Sequence, residues 1–282
     1  MFNGVFGLPS RTPLLASVLF TLSYHLHAND GLFLETTAFG GAVTRTWTTP
    51  QAQRTEVTAD PGSEFAKMMT DIGGEAPQVR IVRLDRGVVW TLNAAEKTYS
   101  EEPLALPYEP VSTGDLPEPE PEDPSAKPPP LELKEAKQKR SFAGFEATGF
   151  ELWGDAKRLG TLWVAPLQGS LAQCHATMEN FHQAETTARF KGWPEKDRLL
   201  FQGEPDLLAA TPVAGTLWGG AAARFDQLRN TFILALQAGD DEPGLTPDTL
   251  VMQVRAVRME PISPSLFDLP EGYKKIEGEP EH

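Results

Sequence analysis

The sequence has a single cysteine, Cys174, among its 282 residues. A lone thiol cannot form an internal disulfide, so the fold must be held by its apolar core. Apolar residues make up 40% of the chain, which is enough for one large domain or two small ones. Basic residues are also scarce, with 25 against 39 acidic ones and a net charge of −14. A surface of that sign repels phosphate backbones, so we do not expect nucleic acid as a partner.

Long apolar runs are absent as well. The N-terminal run "PLLASVLFTL", residues 13–22, has about half of the roughly 20 residues that a bilayer span requires. Arg11 precedes this run and the small residue Ala28 follows it, a pattern typical of a cleavable export signal. We therefore predict a signal peptide at 1–28, a periplasmic location and no transmembrane segment. A buried N-terminal helix and a membrane anchor are the alternatives.

What the chain does contain after residue 30 is a series of short segments rich in Val, Thr and aromatic residues. Alternating apolar and polar side chains, separated by Gly, Asn and Pro, favour antiparallel strands joined by turns. The opening segments "LFLETTAFGG", "AVTRTWTT" and "QRTEVTAD" predict a meander, and 78–104 predicts two successive hairpins. Further strands are predicted within 137–166, at 231–237 and at 249–262.

A proline-rich segment interrupts this pattern. Ten of the 25 prolines lie between Pro103 and Pro130, interleaved with Glu in "LPEPEPEDPSAKPPP". Such a composition cannot bury enough apolar surface to order itself, which predicts a solvated loop at about 111–130. A docking site for an aromatic groove is the alternative. Because strand patterns resume afterwards, we predict one domain over 29–276, followed by a polar tail at 277–282.

Two helical regions are predicted. Leu171 to Lys191 carries an apolar stripe at spacings of three and four residues. Ser170 and Gln173 match a capping box at its start, and Gly192 suits its end. The second region, 205–229, contains three glycines and predicts a broken helix or a mobile flap.

The C-terminal stretch "SLFDLPEGYKKI", residues 265–276, is unusually apolar for a chain end. Pro270 and Gly272 suit a type I turn. We predict that the stretch folds back, packs Leu266, Phe267 and Leu269 against the sheet or its helix, and covers an open sheet edge.

Four stretches, "VRLDRGVVWTLNAAEKTYSEEPL", "KQKRSFAGFEATGFELW", "GTLWVAP" and "SLFDLPEGYKK", occur in this order between residues 78 and 276. Together they resemble signatures of a bacterial exported family, domain-of-unknown-function family 4412. That family is similar to the periplasmic lipoprotein carriers LolA and LolB. The resemblance implies an α+β fold, an antiparallel open half-barrel with helices packed on the concave face. The loop at 111–130 and the long helical region at 167–229 depart from the family.

The chain lacks a phosphate-binding loop, a dinucleotide fingerprint, a nucleophile elbow and a Cys-x-x-Cys pair. His175, Glu179 and His182 have helical spacing that could form a metal site, but a polar helix flank is the favoured interpretation. Cys174 lies on the apolar stripe, where a small buried residue is expected. We therefore predict no enzyme activity, no catalytic residue, no metal and no cofactor.

Apolar strand residues and the helix stripe could together line a cavity, or could fill an ordinary core with no room for a ligand. The candidate lining residues are Trp90, Leu92, Leu162, Val164, Met178, Phe181, Phe232, Leu234, Met252 and Val254. The leading hypothesis is a binding or carrier protein for a lipid, a lipoprotein acyl chain or another apolar ligand. The alternative is a cell-envelope structural or regulatory protein that acts through protein partners, with no small-molecule ligand.

Overall fold

The computed structural model describes residues 30–38, 40–59, 63, 78–108, 131–195, 197–198, 225–240 and 244–276. The predicted signal peptide, the proline-rich loop at 111–130 and the polar tail at 277–282 lie outside these residues. So do most of the residues of the second predicted helical region. Within the described part, one sheet of twelve strands dominates the protein.

The first six strands form an antiparallel meander in chain order. The strands are β1 (Asp30–Ala38), β2 (Ala42–Thr48), β3 (Ala52–Ala59), β4 (Gln78–Arg83), β5 (Val88–Asn93) and β6 (Thr98–Pro103). Glycines at the turns take the left-handed backbone conformation that favours this residue, with φ +86° at Gly41 and +66° at Gly87. The predicted opening meander and the two hairpins that follow are confirmed.

The next five strands form a second meander. The strands are β7 (Glu132–Phe142), β8 (Phe145–Gly154), β9 (Lys157–Pro166), β10 (Thr231–Ala238) and β11 (Leu250–Pro261). β11 pairs with β1 and thereby joins the two meanders into one sheet, which therefore contains strands from both sides of the proline-rich segment.

The expected fold class, an α+β half-barrel with several helices on its concave face, is wrong. The described residues form a mostly β structure with a single long α-helix, α1 (Gly169–Arg189). Residues 205–224 lie outside the described residues, and at the end of the second predicted region the structure has only a 3-10 turn, Asp226–Leu228. Sequence periodicity identified the strands, whereas the expectation of several helices came from the family resemblance and from the region 205–229.

The start of α1 also differs from the expectation. Gln168 occupies the N-cap position, no side chain caps the helix there, and Ser170 already lies inside the helix. The predicted capping box is therefore wrong. The C-terminal signal is confirmed, because the helix ends at Arg189 and Gly192 adopts φ +87°.

The C-terminal stretch folds back as predicted. A 3-10 turn, Pro264–Phe267, packs on β3 and β4, and strand β12 (Lys274–Lys275) pairs in parallel with β6. Phe267 is buried, and Leu266 and Leu269 are partly buried beside it. The stretch both covers apolar surface and extends the sheet beyond β6.

The first meander has two distinct faces. Residues that pair directly across antiparallel strands point to the same face, so a row of paired residues marks one face. Phe33, Trp47, Arg54, Ile81 and Trp90 form such a row from β1 to β5. The C-terminal stretch packs on their side of the sheet, which we call the tail face. Helix α1 packs on the opposite side, the helix face.

Candidate functional site

The ten predicted cavity residues are all inside the protein, none of them more than 8% exposed. They do not line one common space, because the buried residues divide into three clusters. Seven belong to the largest cluster, which includes the start of α1: Leu162, Val164, Met178, Phe232, Leu234, Met252 and Val254. Trp90 and Leu92 belong to the cluster under the C-terminal stretch, and Phe181 belongs to a third.

The separation of Trp90 from the helix follows from strand alternation. On β5, Val89 packs with Phe181 of α1, whereas Trp90 and Leu92 point to the tail face. Neighbouring residues of a strand face opposite sides, so an error of one residue moves a side chain to the wrong face. Val82 and Val89, rather than Trp90 and Leu92, are the strand residues that contact the Phe181 end of the helix.

Arginines fix the C-terminal stretch on the tail face. Arg83 donates to the backbone oxygen of Phe267 at 3.0 Å and to Asp268 at 2.9 Å, and it also bonds Asp85 at 2.7 Å. Arg54 donates to the backbone oxygen of Leu266 at 3.1 Å. The hydrogen bonds from Arg83 hold the pKa of Asp85 below its usual value. This face is therefore occupied by the chain's own C-terminal residues.

The residues considered for metal or thiol chemistry lie on α1. His175 Nδ1 and Glu179 Oε2 are 3.7 Å apart, and His182 is exposed one turn further on. In the part of the chain that the structure describes, no group of three or more His, Cys, Asp or Glu side chains could hold a metal ion. Cys174 is fully buried, and this burial raises the pKa of its thiol to about 11. A thiol in that environment is inert as a nucleophile at neutral pH.

An aromatic group at the C-terminal end of α1 is a surface feature that the sequence patterns did not indicate. We call Leu106, Tyr108, Phe190 and Trp193 the aromatic patch. The ring of Trp193 meets the rings of Tyr108 and Phe190 edge to face, at centroid distances of 5.4 and 5.1 Å. Leu106 and Tyr108 are each 41% exposed, and they are two of the three exposed large hydrophobic residues among those described.

Several hydrogen bonds hold the patch in place. The backbone nitrogen of Leu106 donates to the backbone oxygen of Arg189 at the helix end, at 2.8 Å. The indole nitrogen of Trp193 donates to the backbone oxygen of Leu106, at 3.1 Å. The hydroxyl of Tyr108 donates to Asp197 at 2.7 Å, and this bond raises the pKa of Tyr108. The aromatic surface is therefore built onto the helix end instead of hanging from a free loop.

Sequence reasoning missed the patch because its residues come from two separate parts of the chain. Tyr108 follows β6 within "LALPYEP", and Trp193 follows the helix within "RFKGWPE". Each segment has an aromatic residue beside Pro or Gly, which alone indicates only a turn. The shared backbone contacts bring the segments together, and no local pattern predicts those contacts.

No helix in the described residues combines the length and apolarity needed to cross a membrane.

Comparison with known proteins adds no identification: no family model matches the chain, and no curated protein shows significant similarity to it.

Proposed function

We propose that this protein is a non-enzymatic component of the cell envelope that acts by binding a protein partner through the aromatic patch. The observation that carries the proposal is the exposure of Leu106 and Tyr108 beside Trp193 on a surface fixed by hydrogen bonds. Location in the envelope rests on the export-signal pattern of residues 1–28.

Aromatic side chains of this kind suit protein recognition. Tyr and Trp bury large areas at low conformational cost, and they are enriched among residues that contribute most to binding. The patch is held rigid by the contacts of Leu106 with Arg189 and Trp193. A partner therefore need not order these side chains on binding, which favours affinity.

The carrier hypothesis stays a prediction, and the packing gives it less support than the patch gives partner binding. Each of the ten candidate lining residues is buried by neighbouring protein atoms. An acyl chain would have to displace packed side chains, such as those of Met178 and Phe232, whose contacts stabilise the core. Partner binding at the patch requires no such rearrangement.

Site-specific photo-crosslinking in the periplasm tests the proposal. A photoreactive amino acid replaces Leu106 in the patch, and a matched control carries it at the exposed turn residue Glu96. We expect one identifiable protein to be crosslinked from position 106 and not from position 96, with loss of the product when Tyr108→Ser is added. Identical products from both positions, or none from position 106, would refute it.

Native mass spectrometry of protein purified gently from the periplasm separates the two hypotheses. The proposed function predicts the mass of the unliganded chain and no lipid in an extract of the same sample. A lipid present in stoichiometric amount would instead establish the carrier hypothesis.

A further inference from the structure

Basic residues border the aromatic patch, although the chain as a whole has a net charge of −14. Arg189 ends α1, and Lys191 and Arg198 follow it. The segment 189–198 contains four basic residues and two acidic ones. The patch therefore lies in a segment whose charge is opposite in sign to that of the whole chain.

Backbone contacts place these residues beside the aromatic rings. Lys191 lies between Phe190 and Trp193 in the turn that follows the helix, where the backbone nitrogen of Trp193 donates to the backbone oxygen of Phe190 at 3.1 Å. The backbone nitrogen of Arg198 donates to the backbone oxygen of Pro194 at 3.0 Å, so Arg198 lies one turn beyond the residue that follows Trp193. Both basic residues thus adjoin the patch.

The acidic residues of this segment do not cancel the positive charge. Asp197 is buried, and its carboxylate accepts the hydrogen bond from Tyr108. Glu195 is exposed. Lys191 is exposed and Arg198 is half-buried, and neither forms an ion pair with another described residue. Their charges are therefore available to a ligand.

The end of the helix adds little negative charge of its own. Carbonyl groups without hydrogen-bond partners give a helix C-terminus its partial negative charge. Here the backbone oxygens of Thr186, Ala188 and Arg189 accept hydrogen bonds from the chain's own backbone, the last of them from Leu106. The basic side chains therefore determine the sign of the charge at the patch.

We propose that the partner segment bound by the aromatic patch combines apolar side chains with acidic ones. This inference rests on the proposed function and names the chemistry of the protein segment that the patch binds. Apolar side chains of the segment contact Leu106 and Tyr108, and its carboxylates pair with Lys191 and Arg198. Complementary charges around an apolar centre steer association and exclude partners of the wrong sign.

The acidic balance of the whole chain does not prevent this pairing. At physiological ionic strength, exposed charges more than about 8 Å apart are largely screened from each other. The charges beside the patch therefore act on a docked segment more strongly than distant ones do. The excess of acidic residues elsewhere in the chain disfavours other docking positions for an acidic segment, which helps to orient the partner.

Mass spectrometry of the product crosslinked from position 106 tests the proposal, because it identifies the partner's segment. We expect Asp or Glu residues beside an apolar residue in that segment. A fluorescent peptide of the identified segment then measures the Kd by anisotropy. Lys191→Glu should raise the Kd roughly tenfold, since it replaces an attraction with a repulsion. Lys137→Glu, the same charge change at an exposed position of β7, is the matched control and should not change the Kd.

A charge exchange gives the reciprocal test. Replacing an acidic residue of the peptide by lysine should weaken binding to the wild type and restore binding to Lys191→Glu. A neutral or basic segment, a segment from a second copy of this chain, or an equal Kd for Lys191→Glu and Lys137→Glu would overturn this inference and leave the aromatic patch as a binding surface. The absence of any product from position 106 would refute the proposed function as well.

Discussion

At one edge of the sheet the two-residue strand β12 pairs with Thr98 and Tyr99, so the chain's own C-terminal residues occupy the position of the next strand at the start of β6. At the other edge β7 ends the sheet with eleven residues, and the described part of the chain supplies no further strand. The covered edge adjoins buried apolar residues and anchoring arginines, whereas the open edge is mostly charged. An exposed edge strand can pair with another chain. At one edge the chain's own residues cover the strand, and at the other edge charged side chains oppose such pairing.

The largest expected effect comes from removing the apolar anchor of the covered edge. Phe267→Ala deletes a buried ring that packs in the cluster with Ile81 and Trp90. We expect a loss of about 3 kcal/mol in the free energy of unfolding, measured by urea denaturation. Ile276→Ala, on the same C-terminal stretch but exposed, should change it by less than about 0.5 kcal/mol. Similar losses in both variants would mean that burial of Phe267 does not anchor the stretch.

Removing the polar anchor, Arg83, should lower the free energy of unfolding by a somewhat smaller amount. Arg83→Met removes the bonds to Asp268, to Asp85 and to the backbone oxygen of Phe267 while keeping much of the side chain's apolar bulk. We expect a loss of about 2 kcal/mol, since hydrogen bonds to charged groups are among the stronger ones. Arg86→Met is the control, because its bond to the same Asp268 is exposed. If both substitutions cost the same, Arg83 has no special role in holding the stretch.

The bonds between Arg83 and Asp85 predict that the free energy of unfolding depends on pH. Arg83 lowers the pKa of Asp85, so the folded state favours the ionised carboxylate more than the unfolded state does. The resulting stability is present at neutral pH and is lost as the pH falls below about 4 toward the lowered folded-state pKa. Unfolding measured from pH 6 to pH 2 should therefore show a shallower decline for Asp85→Asn than for the wild type. Parallel curves would contradict the assigned cause of the shift.

The smallest effects are expected for exposed ion pairs, which occur at both edges. Lys275 bonds Glu101 at 2.8 Å beside the covered edge, and Lys139 bonds Glu146 at 2.7 Å on the open edge. Such pairs gain little in water, so Lys275→Ala and Lys139→Ala should leave the urea midpoint within experimental error. A clear shift in only one of them would show that this edge depends on its surface charges.

Much of the fold follows from local patterns. Val, Thr and aromatic residues in alternation predict the strands because each has to present one face to the core. The helical stripe through Cys174, Met178 and Phe181 predicts α1, which the structure places two residues earlier than expected. Leu266, Phe267 and Leu269 predict a C-terminal stretch that packs on the sheet.

Other features depend on contacts that local patterns do not contain. The half-barrel with several helices was wrong because the described residues form mostly one sheet with a single long helix, α1. The face to which Trp90 points depends on the alternation set by its neighbours, and a single residue of offset reverses it. The aromatic patch joins Tyr108 to Trp193 across 84 intervening residues of the sequence, through backbone contacts that no motif predicts.

Amide hydrogen exchange on both edges tests the difference between them most directly. The amides of Lys274 and Ile276, which donate to the backbone oxygens of Lys97 and Tyr99 across the covered edge, should be protected. The amides on the outer side of β7, which have no strand partner among the described residues, should exchange rapidly. Rapid exchange at Lys274 and Ile276, or slow exchange along the outer side of β7, would contradict the account.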